Sequence, residues 1–179
     1  AISPSELSVS VIVPCKDEVG NVEMVVERIP DIGRHTEIVF CDDKSTDGTV
    51  DEIRRLQAVH PERDIKLLEG PGISKAKNVW TGFNGASGDV LIILDADLTV
   101  MPEKLTQFLA VLASGQAEFI NGSRMIYPMQ SDAMRTLNLI GNKFYSFIFR
   151  LILGQPIMDT LCGTKVLWRA DWPEIRSML

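Results

Sequence analysis

Short apolar, β-branched runs alternate with amphipathic helical patterns along most of the chain. The first run, Val9 to Val13, is stopped by Pro14 and has the character of a buried strand. Behind it, Val22, Val25, Val26 and Ile29 recur at helical spacing until Pro30 ends the pattern. Glu37 to Cys41 predicts a second strand. Thr49 and Glu52 have capping-box spacing ahead of a helical face formed by Val50, Ile53 and Leu56. Ile65 to Leu68 predicts a third strand, which leads through Gly70-Pro71-Gly72 into a helix carrying Ala76, Val79, Trp80 and Phe83 on one face. Val90 to Leu94 is apolar on both faces and is expected at the centre of a sheet. After Pro102, Leu105, Phe108, Leu109 and Leu112 mark a further helix closed by Gly115, and a short strand is expected around Glu118 to Asn121.

This βα alternation implies an α/β fold: a mostly parallel sheet, covered by helices and joined by right-handed crossovers. The last third differs. Ala133 to Leu153 predicts a helix whose latter half, Phe144 to Leu153, is almost wholly apolar. It reads either as a core helix or as a helix lying on a membrane surface, with Lys143 and Arg150 near the headgroups. Thr164 to Trp168 is expected to return as a strand.

Composition narrows the classes. The 179 residues fit one domain, and at 45% hydrophobic and 23% charged they exclude a disordered chain. A net charge of −6 argues against a nucleic-acid binder that neutralises phosphates broadly. Cys15, Cys41 and Cys162 form neither a C-x-x-C pair nor an even set, so free thiols in a reducing compartment are expected. No run reaches the roughly 18 apolar residues of a membrane span, and Ala1 to Ser8 lacks the features of a signal peptide. The expected location is cytoplasmic, with peripheral contact at the cytoplasmic membrane face if the apolar helix is interfacial.

Chemistry is expected beyond the carboxyl ends of the strands, where open α/β sheets bind their ligands. Pro14-Cys15-Lys16-Asp17-Glu18 follows the first strand, Asp42-Asp43-Lys44-Ser45 the second, and Asp95-Ala96-Asp97 the central one. Acidic residues at one strand end are ordinary turn chemistry; their recurrence at three is not. Asp95 and Asp97 can present oxygens to a hard divalent cation, which takes one or two carboxylates and completes its shell with substrate phosphates and water. The plainer alternative is that they cap the following helix. A haloacid-dehalogenase-like phosphatase, with Asp95 as nucleophile in Asp-x-Asp-x-Thr, also fits the local pattern, although that motif normally opens its domain. The two histidines, His35 and His60, fall in polar stretches and are expected to be solvated loop residues.

In order, Val-Ile-Val-Pro-Cys-Lys-Asp-Glu, Cys41-Asp-Asp-Lys-Ser-Thr-Asp-Gly-Thr, Leu94-Asp-Ala-Asp-Leu, Gly122-Ser-Arg and the stretch Asp159 to Arg169 resemble the signatures of the family-two inverting nucleotide-sugar glycosyltransferases. The branch most resembled transfers sugars to polyprenyl phosphates and includes dolichyl-phosphate mannosyltransferase. The resemblance implies a GT-A, Rossmann-like domain over residues 1–179. Such domains usually continue further, so the C-terminal end reads as cut short. It also implies Mg²⁺ or Mn²⁺ dependence, a nucleotide-sugar donor (GDP-mannose or a UDP-hexose) and a polyprenyl-phosphate acceptor.

Laid on this sequence, the resemblance assigns Pro14, Lys16, Glu18, Asp43, Lys75, Asn78, Asp95 and Ala96 to the nucleotide sugar. Asp95 and Asp97, with Thr99 completing the shell, would hold the metal. Arg124 and Arg135 would join Asp97 as catalytic residues by facing the acceptor phosphate. For Lys75 and Arg124 a plain surface charge is the competing reading. Two departures from the family pattern stand out: Lys44 replaces a glycine and Asp17 an asparagine. A non-enzymatic domain that only binds nucleotide sugars is the remaining alternative.

Overall fold

A computed structural model describes residues 1–122 and 162–178, and every structural statement below concerns these. The strands are β1 (Ser8–Cys15), β2 (His35–Asp42), β3 (Asp64–Glu69), β4 (Val90–Ile93), β5 (Phe119–Asn121) and β6 (Lys165–Trp168). The helices are α1 (Val22–Arg28), α2 (Thr49–Val59), α3 (Lys75–Gly85), α4 (Leu105–Ala113) and α5 (Trp172–Ser177). The strands form one six-stranded sheet in the order β3-β2-β1-β4-β6-β5. β1 to β4 run parallel, and β6 lies antiparallel between β4 and β5.

The period-2 alternation of each buried strand sends side chains to opposite faces. Val9, Val11 and Val13 of β1, with Ile38 and Phe40 of β2 and Ile92 of β4, meet α1, α2 and α4 in the larger core. Ile12, Val39, Leu91 and Ile93 point the other way, to Val79 and Phe83 of α3 and to Trp172 of α5. Gly82 brings α3 close to the sheet: a Cβ there would fall 2.3 Å from Ile12 Cγ2 and 2.7 Å from Cys41 Sγ.

Most expected elements form near their predicted positions, and β4 is central as its two-sided apolarity requires. Three local expectations are corrected. Thr49 does not cap α2; Gly48, at φ +97°, is the N-cap, and Thr49 is the first helical residue, fully buried. Its hydroxyl accepts from Glu18 N at 2.9 Å and donates to Asp47 Oδ1, while Glu52 pairs with Arg55. Ala76 is exposed, and the packed face of α3 instead carries Asn78, Val79, Gly82 and Phe83. His35 opens β2 and meets Asp64 of β3 at 2.8 Å, whereas His60 is the C-cap of α2. The expected helix Ala133 to Leu153 lies outside the described residues.

Candidate active site

Three turns leave the carboxyl ends of β1, β2 and β4 together, and hydrogen bonds clip them to one another. Asp43 N donates to Cys15 O at 2.9 Å, and Leu94 N to Ile12 O at 2.9 Å, extending the parallel pairing past the strand ends. In the turn after β1, Asp17 adopts φ +55°, a region that Asp and Asn enter more readily than other side chains. Its N–H donates to Ser45 Oγ and its Oδ1 accepts from Thr46 N at 2.7 Å, so the first two turns hold each other. Asn21 donates to Glu18 Oε2 at 2.5 Å, fixing the carboxylate at the edge of the cleft.

The loop after β3 is fastened to the same rim. Gly70 N donates to Asp42 O and Gly72 N to Asp43 Oδ1, each at 2.7 Å. Asn78, 1% exposed, donates from Nδ2 to Cys41 O at 2.7 Å. Lys44 sits at φ +65°, which gives a physical reason for glycine in the pattern that the sequence resembles. The stem of Lys44 lies on Gly72, where a Cβ would fall 2.6 Å from Lys44 Cδ.

Between these turns is a cleft of about 240 Å³ lined by Pro14, Cys15, Lys16, Glu18, Asp43, Lys75, Asn78, Asp95, Ala96 and Asp97. Asp95, Ala96 and Asp97 belong to the acidic turn after β4. Asp97 Oδ1 accepts from Thr99 N at 3.1 Å, and Leu98 between them takes φ +54°. Lys75, first residue of α3, puts Nζ 2.6 Å from Asp95 Oδ1. That contact is an ion pair outside hydrogen-bond alignment, and Asp95 Oδ1 has no hydrogen-bond donor. Gly163 walls Asp95 from behind, with an ideal Cβ position only 2.1 Å from Asp95 Oδ2.

The nucleotide-binding nominees Pro14, Lys16, Glu18, Asp43, Lys75, Asn78, Asp95 and Ala96 therefore come together in one cleft, with Asp97 beside them. Thr99 is exposed and does not line it; its backbone fixes Asp97 instead. Arg124 and Arg135 lie outside the described residues. Sequence reasoning gave no role to Cys15 or Gly163. Cys15 reads in the sequence only as a free thiol after the first strand, and Gly163 has only its place in a motif to signal it. Burial, then the Asp42 carboxylate and Cys41, push the Cys15 thiol far up, and burial pushes Cys41 up to about 12. Burial of this kind disfavours the thiolate, which is the reactive form.

The donor set suits a divalent cation. A largely buried carboxylate oxygen on Asp95, countered only by the Lys75 ammonium, stands beside an exposed carboxylate on Asp97, both hard oxygen ligands. Among the described residues, no group of three or more His, Cys, Asp or Glu side chains could hold a metal.

The model of the family described as "Glycosyl transferase family 2" matches residues 10–172. The chain belongs to that family. Among its family-2 relatives, the dolichol-phosphate mannosyltransferase of Pyrococcus furiosus is 35% identical over 122 residues, covering 67% of this chain and 34% of that protein. The dolichol-phosphate mannosyltransferase of Saccharomyces cerevisiae is 35% identical over 102 residues, covering 52% of this chain and 37% of its own length. The chain thus spans about a third of the length of these curated relatives. In fold it is similar to a Pyrobaculum calidifontis mannosyltransferase solved with GDP-Man and Mn²⁺, at TM-score 0.68 and 22% identity over 97% of this chain and 49% of that one. The fold is GT-A, and family-2 membership sets aside the phosphatase alternative.

Proposed function

We propose that residues 1–179 act as one catalytic domain that transfers a sugar, with inversion, from a nucleotide sugar to a polyprenyl phosphate. The observation that carries this reading is the gathering of Asp43, Asp95, Asp97, Lys75 and Asn78 in one cleft at the carboxyl ends of the strands. The names of the relatives support a polyprenyl-phosphate acceptor, and the Pyrobaculum complex supports a nucleotide-sugar donor with a divalent cation. GDP-mannose is the first donor to test, with UDP-hexoses as the comparison and Mn²⁺ or Mg²⁺ as the metal.

Asp95 and Asp97 would hold the metal, which when bound acts as a Lewis acid toward the negative charge on the departing nucleoside diphosphate. Pro14, Glu18 and Asp43 would hold the base and ribose. Lys16, Lys75, Asn78 and the backbone of Ala96 would surround the donor. Among the described residues no histidine lines the cleft. An acceptor phosphate needs no base: its second pKa is about 6, so it is largely dianionic at neutral pH. Its oxygen forms the new bond to the anomeric carbon while the bond to the diphosphate breaks on the opposite face. Arg124 and Arg135 are assigned to the acceptor phosphate by the resemblance alone; their planar forks suit its oxygens. The polyprenyl-phosphate acceptor would be met at the cytoplasmic membrane face; among the described residues no helix is long and apolar enough to cross a membrane.

A thermal-shift panel of GDP, UDP and their sugars, each with Mn²⁺, Mg²⁺ or EDTA, tests donor binding. A ligand at about 100 times its Kd adds roughly 2.7 kcal/mol, or about 5–10 °C for a domain of this size. A metal-dependent shift with one nucleoside diphosphate is expected, and a flat panel refutes the reading. Transfer of labelled sugar to a short polyprenyl phosphate, lost in Asp97→Ala, tests the reaction. Binding without transfer to any lipid phosphate would instead favour a non-enzymatic nucleotide-sugar domain.

A further inference from the structure

Lys75 and Asp95 are unequal partners. Asp95 is held: its side chain is 17% exposed, Gly163 stands directly behind it, and its turn is fixed by backbone bonds after β4. Lys75 is the exposed partner, with a side chain 61% exposed on the first residue of α3. Its Nζ is 2.6 Å from an oxygen that has no hydrogen-bond donor. A flexible ammonium therefore covers the one largely buried ligand oxygen of the proposed metal site. Such a half-exposed pair is weak, favouring contact by a factor of about 2–5, and a stronger partner for either group breaks it.

We propose that Lys75 is an exchangeable counter-ion: in the free protein it neutralises Asp95, and on donor binding it moves to the diphosphate, coupling metal and nucleotide binding through one side chain. The proposal rests on the donor-binding reading above. A metal arriving alone must displace Lys75 from Asp95 and has Asp97 as its other assigned carboxylate, with water in the remaining positions. With a diphosphate present, the ammonium has charged oxygens of its own, within reach of a four-carbon stem with three donors. Asp95 is then released to the metal at no further loss. By linkage, whatever the nucleotide does for the metal the metal does equally for the nucleotide. Lys75 thus sets when Asp95 becomes available and then contacts the donor, with no bond made or broken at its own nitrogen.

The experiment titrates Mn²⁺ by electron paramagnetic resonance into the full chain, alone and with saturating GDP or UDP, in wild type, Lys75→Met and Lys75→Arg. Circular dichroism first confirms folding. Lys75→Met is expected to bind Mn²⁺ alone about 2–5 times more tightly than wild type, a gain that structural damage cannot produce. The nucleotide-induced increase in Mn²⁺ affinity should shrink by at least the same factor, and Lys75→Arg should restore it. Equal or weaker binding of Mn²⁺ alone by folded Lys75→Met, with the nucleotide effect intact, overturns the proposal and leaves donor binding standing. If neither nucleotide changes Mn²⁺ binding in wild type, the donor reading fails and the proposal falls with it.

Discussion

Replacing Gly163 by alanine tests the geometry behind Asp95 without touching a charged group. An ideal Cβ at Gly163 lies 2.1 Å from Asp95 Oδ2 and 2.6 Å from both Cγ and Oδ1. Ordinary contact starts at 3.4 Å, so the carboxylate or the Gly163 backbone must shift by roughly 1 Å. Metal ligation tolerates only about 0.2 Å, so an Asp95 pushed that far no longer ligates as placed. Losing the support of a ligating carboxylate reduces metal affinity by about 10–100-fold, or roughly 1.4–2.7 kcal/mol. The same clash should reduce fold stability by about 1–3 kcal/mol, which a domain of ordinary stability survives. Calorimetric titration of GDP and UDP with Mn²⁺ into the folded variant reads the affinity loss. Gly20→Ala is the control, because nothing lies within 4 Å of its Cβ position. If Gly163→Ala binds the metal–nucleotide pair within about twofold of wild type, Asp95 is not held where this reasoning places it.

Acid stability should reveal Glu37, a fully buried carboxylate. Burial alone would raise its pKa, but hydrogen bonds from Lys66, Ser10 and Ser87 outweigh that and bring it down to about 2. The resulting stabilisation, roughly 3 kcal/mol at most, is complete above the ordinary value of 4.5 and fades as pH falls toward 2; urea melts of Glu37→Gln should show lower stability at pH 7 and a flatter acid limb. At Lys44, whose φ is +65°, Lys44→Gly should change stability by less than about 1 kcal/mol, while the β-branched Lys44→Val should lose about 1–3 kcal/mol by chemical denaturation. All three thiols are buried, so a disulfide reagent should label them at the rate of unfolding in buffer and at once in denaturant; rapid labelling of the native protein would contradict the packing.

The sheet and most of the cleft were legible because both follow from short-range rules. A β-branched run closed by Pro14 is a buried strand wherever it occurs, and parallel strands point their carboxyl ends to one side. Asp43, Asp95 and Asp97 therefore had to be neighbours. What could not be read depended on contacts between distant segments. Thr49 has the sequence of a cap, but the buried end of α2 needs its hydroxyl for the Glu18 and Asp47 turns, and Gly48 takes the cap position. Ala76 fits an apolar helical stripe, yet close approach at Gly82 and the bond from Asn78 to Cys41 O rotate α3 away from it. Gly163 acquires meaning only when β6 folds back beside β4 and brings it against Asp95.

The two ends of the sheet differ in a way that stability alone does not explain. At the amino ends, Glu37 receives Lys66, Ser10, Ser87 and Gly88, and Asp89 receives Ser8 twice; these buried and half-buried groups are richly partnered. At the carboxyl ends, Asp42 Oδ1, Asn78 Oδ1 and Asp95 Oδ1 are buried without a hydrogen-bond donor. An unpaired buried polar atom costs about 1–3 kcal/mol, and native interiors hold few of them. A sequence that saturates its polar groups at one end of four parallel strands has no structural need to leave them open at the other. Asp95 and Asn78 both line the cleft, and Asp42 adjoins Asp43, which does. Among the described residues these three oxygens, with Asp95 Oδ1 held only by the Lys75 ion pair, lie in the cleft or against its wall, which is the distribution expected where a bound donor and its cation complete the bonding.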